Sequence, residues 1–342
     1  MWDLTEKKGK KMKKAVSVLC LMSLFLFYSS ALTQAEETPH ALLNLQGYLL
    51  SWNDGDVKNK IVSFVESVVN PNSEDFVPRD QRKAFFDMDG TLLCEKPSYL
   101  EVVVAKAKLA EKVKADPSLA SQPVYKAILE NDTDYLYKNV KNVIVEAFAG
   151  ETLRSYRNYC RNFLYSTMHP KYNRPYVEMF YTPMLELMDY LRGNRFKIFV
   201  ASTSQQEFVR SISREVLKIP QEQIIGVMVG FSLINLEKDE PPIFVRNREY
   251  FTPYNADEAK VLRMRERGVL PVIFAFGNSG GDYAMLDATT DSGLPNMVCI
   301  LDHDDAEREY EYHKLKLLEK ARKRNWTIVS MKKDFKIIFR GK

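Results

Sequence analysis

The chain has little of what zinc sites, disulfide scaffolds and histidine-based catalysis are built from: four cysteines and four histidines in 342 residues. Cys20 sits inside an N-terminal apolar run, which leaves Cys94, Cys160 and Cys299. An odd number without a Cys-x-x-Cys pair gives no support to a zinc ribbon or a disulfide framework. One disulfide is open to these residues in an oxidising compartment, with no pair preferred, and three buried thiols are the plainer expectation. His40, His169, His303 and His313 stand in no triad-like pattern with a carboxylate and a nucleophile. His169 and the run His303-Asp304-Asp305 read as structural or supporting groups. There is no fixed-period repeat and no low-complexity tract. A basic stripe is missing too. Six lysines between Lys7 and Lys14, against Asp3 and Glu6, give a surplus of four that equals the net charge of +4 of the whole chain. The remainder is neutral, and nucleic acid is not an expected partner.

What is present at the N-terminus is a lysine-rich stretch, an apolar run from Ala15 to Tyr28, and small residues around Ala31-Leu-Thr-Gln-Ala35. The run is shorter than the ~20 residues a membrane span needs. Residues 1–35 are therefore expected to be a signal peptide cleaved after Ala35, with an uncleaved anchor as the alternative and Met12 as a second possible start. The expected location is periplasmic or secreted, with membrane contact only through this segment.

Beyond the signal, Val57, Ile61, Phe64, Val65 and Val68 recur at helical spacing. Short apolar runs at 83–87, 197–201, 272–276, 297–301 and 326–330 read as buried strands separated by helices. This alternation predicts an α/β fold with a doubly wound, Rossmann-like parallel sheet. Residues 93–172 break the pattern with amphipathic helical stretches and are expected to form a helical cap inserted into a core of 36–92 and 173–342. Two capping boxes, Ser98-Tyr-Leu-Glu101 and Ser204-Gln-Gln-Glu207, are expected to open helices, the second running to Leu217. Ile224–Leu236 and Ile243–Phe251 are expected to pair as a hairpin around Pro241-Pro242.

The chemistry-bearing residues cluster at the strand tips, where ligands of such sheets bind. In Phe85-Phe86-Asp87-Met88-Asp89-Gly90-Thr91, the two carboxylates share a face of an extended strand, and their mutual repulsion calls for a cation or a phosphoryl group. Ser202, Thr203 and Ser204 follow the strand at 197–201, Lys260 lies early in a helix, and Gly277-Asn278-Ser279-Gly280-Gly281-Asp282 follows another strand. In phosphate-ester hydrolysis Asp87 would be the nucleophile and Asp89 the general acid and base. Thr91, Ser202, Thr203 and Lys260 would hold the phosphoryl group, helped by the amides of a helix opening at Ser204. Asp87, Asp89, Asn278 and Asp282 would offer hard oxygen ligands to Mg²⁺.

These residues, in this order, resemble the haloacid-dehalogenase-like hydrolase superfamily over Trp52 to Lys342. They are most similar to its phosphoserine-phosphatase-like branch and to secreted bacterial acid-phosphatase members related to phosphorylcholine phosphatases. Phe274-Ala-Phe-Gly-Asn-Ser-Gly-Gly-Asp282 and His303-Asp-Asp-Ala-Glu-Arg-Glu309 carry that likeness. The resemblance implies a Rossmann-like core with a cap, Mg²⁺, and an aspartyl-phosphate formed on Asp87. It also implies that the main-chain carbonyl of Asp89 joins the metal while its carboxylate does the acid–base work. Two positions depart from the pattern. The fourth motif usually opens Gly-Asp and here reads Gly277-Asn278, which leaves open whether Asn278 or Asp282 is the closer metal ligand. Glu95 lies one residue short of the acid that reads the substrate amine in phosphoserine phosphatases.

The expected activity is an exported, Mg²⁺-dependent phosphomonoesterase acting on a small organic phosphate. A non-catalytic phosphate-ligand binder, or a phosphotransferase or pyrophosphatase using the same site, are the alternatives. Tyr99, Tyr135, Arg154, Asn158 and Arg161 are candidates for cap residues that select the substrate. Arg154, Asn158 and Arg161 share one helix face, which meets either substrate or water.

Overall fold

The structure is a computed structural model and describes residues 48–235, 241–251 and 255–340. The expected signal segment lies outside these residues, as does Leu236 at the end of the expected hairpin strand. The elements run α1 (Asp56–Val69), β1 (Lys83–Asp87), α2 (Leu100–Ala115), α3 (Pro123–Leu129), α4 (Thr133–Lys138), α5 (Val140–Phe148), α6 (Leu153–Ser166) and α7 (Thr182–Gly193). They continue with β2 (Lys197–Gln205), α8 (Gln206–Arg210), β3 (Ile224–Val227), β4 (Val229–Ile234), β5 (Ile243–Tyr250), α9 (Glu258–Glu266), β6 (Phe274–Gly277) and α10 (Tyr283–Thr290). β7 (Met297–Asp302), α11 (Leu315–Lys323), β8 (Thr327–Ser330) and α12 (Met331–Asp334) complete the chain.

Six strands form one parallel sheet in the order β3-β2-β1-β6-β7-β8. The chain leaves β1 toward β2 and β3, then returns to its other side for β6, β7 and β8. β1 is thus the point where the winding reverses, and a ligand crevice opens beyond its C-terminal end. Phe85 and Phe86 alternate across the sheet and enter two different apolar clusters. Phe86 packs on Phe274 and Phe276, with ring centroids 5.8 and 6.2 Å away, and Phe274 reaches Phe64 of α1 at 6.2 Å. Ile61, Val65 and Val68 form the buried face of α1, as their spacing indicated.

Between β1 and α7 lie five helices, α2 to α6, where an inserted helical cap was expected. The hairpin from the second half of the chain joins them. The Gly150 amide donates to the Arg246 carbonyl and the Arg246 amide to the Glu151 carbonyl, each at 2.8 Å, beside a bridge between Thr152 and Val245. The hairpin itself is β4 paired with β5. Ile224–Val227, expected within it, belongs instead to the main sheet as β3, because this wholly buried run pairs in parallel with β2.

Both expected capping boxes gave way to tertiary contacts. α2 starts at Leu100 without a side-chain cap, and Glu101 turns inward to accept the Gln205 amide at 3.0 Å. The helix expected from Ser204 to Leu217 is not formed as such. β2 continues through Gln205, which pairs with Val227, and only Gln206–Arg210 is helical. Gly226 permits this: a Cβ there would lie 2.5 Å from the Gln206 amide nitrogen. Cys94, Cys160 and Cys299 are free, buried thiols. Among the described residues no helix is long and apolar enough to cross a membrane.

Phe274→Ala would remove a fully buried ring between the sheet and α1. It is expected to lower the unfolding free energy by about 3–5 kcal/mol in a denaturant titration.

Candidate active site

The register of the central strands brings three tips level. Asp87 lies opposite Ala201 of β2, and Phe86 opposite Phe276 of β6, so the segments at Ser202 and Gly277-Asn278 flank the end of β1. After Asp89 the chain turns sharply, with the amides of Thr91, Leu92 and Leu93 all donating to the Met88 carbonyl. Gly90 sits in this turn at φ 79°. A Cβ there would fall 1.9 Å from the Asn278 side-chain nitrogen, so the left-handed backbone and the close approach of Asn278 both demand glycine.

Asp87, Asp89, Lys260, Asn278 and Asp282 are all buried. The Lys260 ammonium donates to Asp87 Oδ1 and to Asp282 Oδ1, both at 2.6 Å. Burial opposes its charge, but Asp282 and Asp87 hold the ammonium above the ordinary lysine range. Asp282 Oδ2 accepts the amides of Asn278 (3.1 Å) and Ser279 (2.9 Å) and the Ser279 hydroxyl (3.1 Å). Both of its oxygens are therefore engaged by protein donors. Gly277 lets this turn close, since a Cβ there would lie 2.7 Å from that of Asp282.

Asp89 is held differently. Its Oδ2 accepts the hydroxyls of Ser202 (3.0 Å) and Ser204 (3.1 Å), while Oδ1 has no hydrogen-bond partner. Burial pushes its carboxyl above the usual range, with those two hydroxyls opposing. Burial and the neighbouring Asp282 push Asp87 up as well, against the pull of Lys260.

The hydroxyl of Thr91 lies 3.3 Å from Asp87 Oδ2 and 3.3 Å from Asn278 Oδ1. These two hard oxygens, of the kind Mg²⁺ takes, are thus tied to one hydroxyl. Among the described residues no group of three or more His, Cys, Asp and Glu side chains is arranged to hold a metal. A donor set completed by the Asn278 amide oxygen meets that constraint. The Asn278 side-chain nitrogen is buried without a partner, so this amide is not fully engaged by the protein.

Of the eight residues expected at the site, the structure joins Asp87, Thr91, Lys260, Asn278 and Asp282 in one hydrogen-bonded group and Asp89 and Ser202 in a second at the same strand tips, with Thr203 half-buried beside Ser202. Two details depart from expectation. Ser202, expected to face a phosphoryl oxygen, donates to Asp89. The helix dipole expected at Ser204 is not formed, because β2 extends past it.

One residue escaped the sequence reading. Asn255 donates from its amide nitrogen to the carbonyls of Ser202 and Ile225, both at 2.9 Å, and so pins β2 to β3. His303 Nε2 lies 2.7 Å from the Gly90 carbonyl and its Nδ1 3.3 Å from Glu309. His303 holds Glu309 below the ordinary range despite burial, so the imidazole braces the catalytic turn from beneath. His169 is buried among Tyr172, Tyr176 and Tyr310 with Nε2 2.7 Å from the Lys96 carbonyl, a structural place. Arg154 and Asn158 are exposed, and Arg161 pairs with Glu215 at 2.8 Å, so that helix face meets water rather than substrate.

The family model for haloacid dehalogenase-like hydrolases matches residues 84–287, more than half of the chain. Among solved structures, a conserved protein of unknown function from Anaerococcus prevotii DSM 20548 is 15% identical, covers 80% of this chain and 91% of its own, and superposes with a TM-score of 0.51. Cytosolic 5'-nucleotidase IIIB bound to cytidine is 14% identical over 83% of this chain and 99% of its own, at a TM-score of 0.42. A phosphoserine phosphohydrolase-like protein from Francisella tularensis is 16% identical over 70% of this chain and 98% of its own, at 0.35. The first supports a shared fold; the other two fall below the level at which a superposition carries weight. No curated protein matches the chain.

Glu101, two bonds away from this cluster through Gln205, gives a pH test. Burial pushes its carboxyl up to about 8, with the Gln205 amide and Arg246 opposing. The folded state then holds a proton that the unfolded state loses near its ordinary value of 4.5. Stability must fall as pH rises between those values. Glu101→Gln lacks this titration, so its melting temperature relative to the natural chain is expected to climb between pH 5 and 8 in a thermal scan. A constant difference would contradict the assignment.

Proposed function

The chain belongs to the haloacid dehalogenase-like hydrolases, and on that premise we propose that it is a Mg²⁺-dependent phosphatase. It cleaves a small organic phosphate monoester through an aspartyl-phosphate on Asp87. The observation that carries this reading is the second carboxylate: Asp89 is buried, held by the hydroxyls of Ser202 and Ser204, and leaves one oxygen free of protein partners. A carboxylic acid poised in this way beside a carboxylate is what protonation of an alkoxide leaving group needs.

In the first step an oxygen of Asp87 attacks phosphorus and the bond to the ester oxygen breaks. Asp89 gives its proton to that oxygen as the alcohol departs. In the second step Asp89, now a carboxylate, takes a proton from water. The water oxygen attacks phosphorus, the bond to Asp87 breaks, and phosphate leaves. Lys260 holds Asp87 in place and counters the charge gathering on the phosphoryl oxygens. Ser202 and Ser204 fix the Asp89 carboxyl so that the same group serves both steps. Asp87, the Asp89 main-chain carbonyl and Asn278 would hold Mg²⁺, which would supply further positive charge against those oxygens. Asp282, engaged by Lys260 and its own turn, acts by positioning Lys260 and Asn278. Export to the periplasm or medium rests on the N-terminal sequence alone.

Purified protein assayed against a panel of phosphate esters, with and without Mg²⁺, tests the proposal. Release of phosphate that requires the metal is expected. Tight binding without release would favour a ligand-binding protein, and transfer of phosphate to an added alcohol would favour a phosphotransferase. Asp87→Asn is expected to abolish turnover while circular dichroism stays unchanged. Asp89→Asn is expected to slow alkyl phosphates by about 10²–10⁴-fold, and aryl phosphates with good leaving groups much less. Equal losses on both classes would overturn the acid role.

A further inference from the structure

The polar network does not end at Asp89. Gln205 follows Ser204 on β2, its amide donates to Glu101 of α2, and its side-chain oxygen accepts from Arg246 Nη2 at 2.7 Å. Arg246 is 1% exposed and arrives on β5, with its guanidinium 3.9 Å from the centroid of the Tyr156 ring. Arg246 Nε and Nη1, Gln205 Nε2, Glu101 Oε1 and Asp89 Oδ1 all lack a hydrogen-bond partner. Buried polar atoms are paired in some nine cases of ten, and an orphan is costly. Here the orphans lie on one connected set of residues that starts at the proposed acid. Charge points the same way. Glu101, pushed up to about 8 by burial, keeps its proton near neutral pH and leaves the Arg246 cation without a counter-ion. A buried cation in that state calls for an anion.

We propose that Arg246, with Gln205 and Glu101, forms the subsite for the leaving group, and that this subsite takes a phosphate ester whose alcohol part carries a second anionic group, a carboxylate or a second phosphate. The two free N–H donors of the guanidinium suit the oxygens of either group. The Gln205 side-chain nitrogen adds a further donor without a partner. The proposal deepens the phosphatase reading and rests on it for turnover, but not for binding.

Two sets of measurements keep them apart. In the first, kcat/KM is compared for 2-carboxyethyl phosphate, 1,3-propanediol bisphosphate and propyl phosphate, with 2-aminoethyl phosphate as a cationic control. The natural chain is expected to favour at least one of the first two over propyl phosphate by about 10- to 100-fold, the size of a hydrogen-bonded charge contact. Whichever it favours tells carboxylate from phosphate. Arg246→Gln is expected to erase that preference, chiefly through KM, while propyl phosphate changes less than about threefold. Equal losses on all esters would make Arg246 a structural tie between hairpin and sheet and overturn the proposal. So would a natural chain without preference for a second anion, a result that needs no variant to fold. In the second set, calorimetry on Asp87→Asn measures the affinity for 2-carboxyethyl phosphate, the bisphosphate and propyl phosphate. If no ester is hydrolysed, the phosphatase reading fails. The subsite still stands when one of the two probes with a second anionic group binds more tightly than propyl phosphate, and falls when neither does.

Discussion

The sheet edge depends on one buried ammonium. Lys260 lies 2.6 Å from Asp87 and from Asp282, and a third carboxylate, Asp89, stands on the same turn as Asp87. Three acids against one base leave a deficit of positive charge that the low dielectric of the interior makes expensive. Two remedies fit the geometry. A proton on Asp89 removes one charge, and a divalent cation at the oxygens of Asp87 and Asn278 would more than offset the rest. Both remedies are also steps toward catalysis, so the electrostatic problem of the resting site and the chemistry proposed for it have one solution.

The division of labour between the two aspartates follows from their partners rather than from their burial. Both are sunk in the same edge, and burial pushes both up, Asp87 further because Asp282 stands beside it. Asp87 faces an ammonium, which favours its charged form. Asp89 faces two neutral hydroxyls, which steady the carboxyl without supplying a counter-charge. Asn278 belongs to the same logic. An acid at that position would add a fourth negative charge beside Lys260, and an amide oxygen does not.

The parts legible in the sequence were those governed by local periodicity. Short apolar runs marked the parallel strands, and the two-residue spacing of Asp87 and Asp89 placed them together at a strand tip. The parts that were not legible are settled by contacts across the chain. Ser204-Gln-Gln-Glu207 satisfies a helix-start pattern, yet pairing with Val227 keeps Gln205 in the sheet. Ser98-Tyr-Leu-Glu101 satisfies it too, yet Glu101 spends its carboxylate on an amide 104 residues away. Arg246 carried no signal at all, since an arginine in an otherwise half-exposed hairpin reads as surface. Its burial arises only because β5 joins the helical segment by two main-chain hydrogen bonds at Gly150 and Glu151.

That junction bears on how the site selects. Glu101 comes from the helices after β1, Gln205 from the end of β2, and Arg246 from the hairpin after β3. Three segments on different elements meet one residue beyond the group that holds the proposed acid. Had the helices alone lined the entrance, the exposed face of Arg154 and Asn158 would have been the natural place to read a substrate, and it points to water. The polar side chains that do lie inside are few, buried and incompletely paired. A site built this way recognises its ligand by completing a network rather than by filling a greasy slot. Such sites discriminate strongly, because the wrong ligand leaves buried donors unmet.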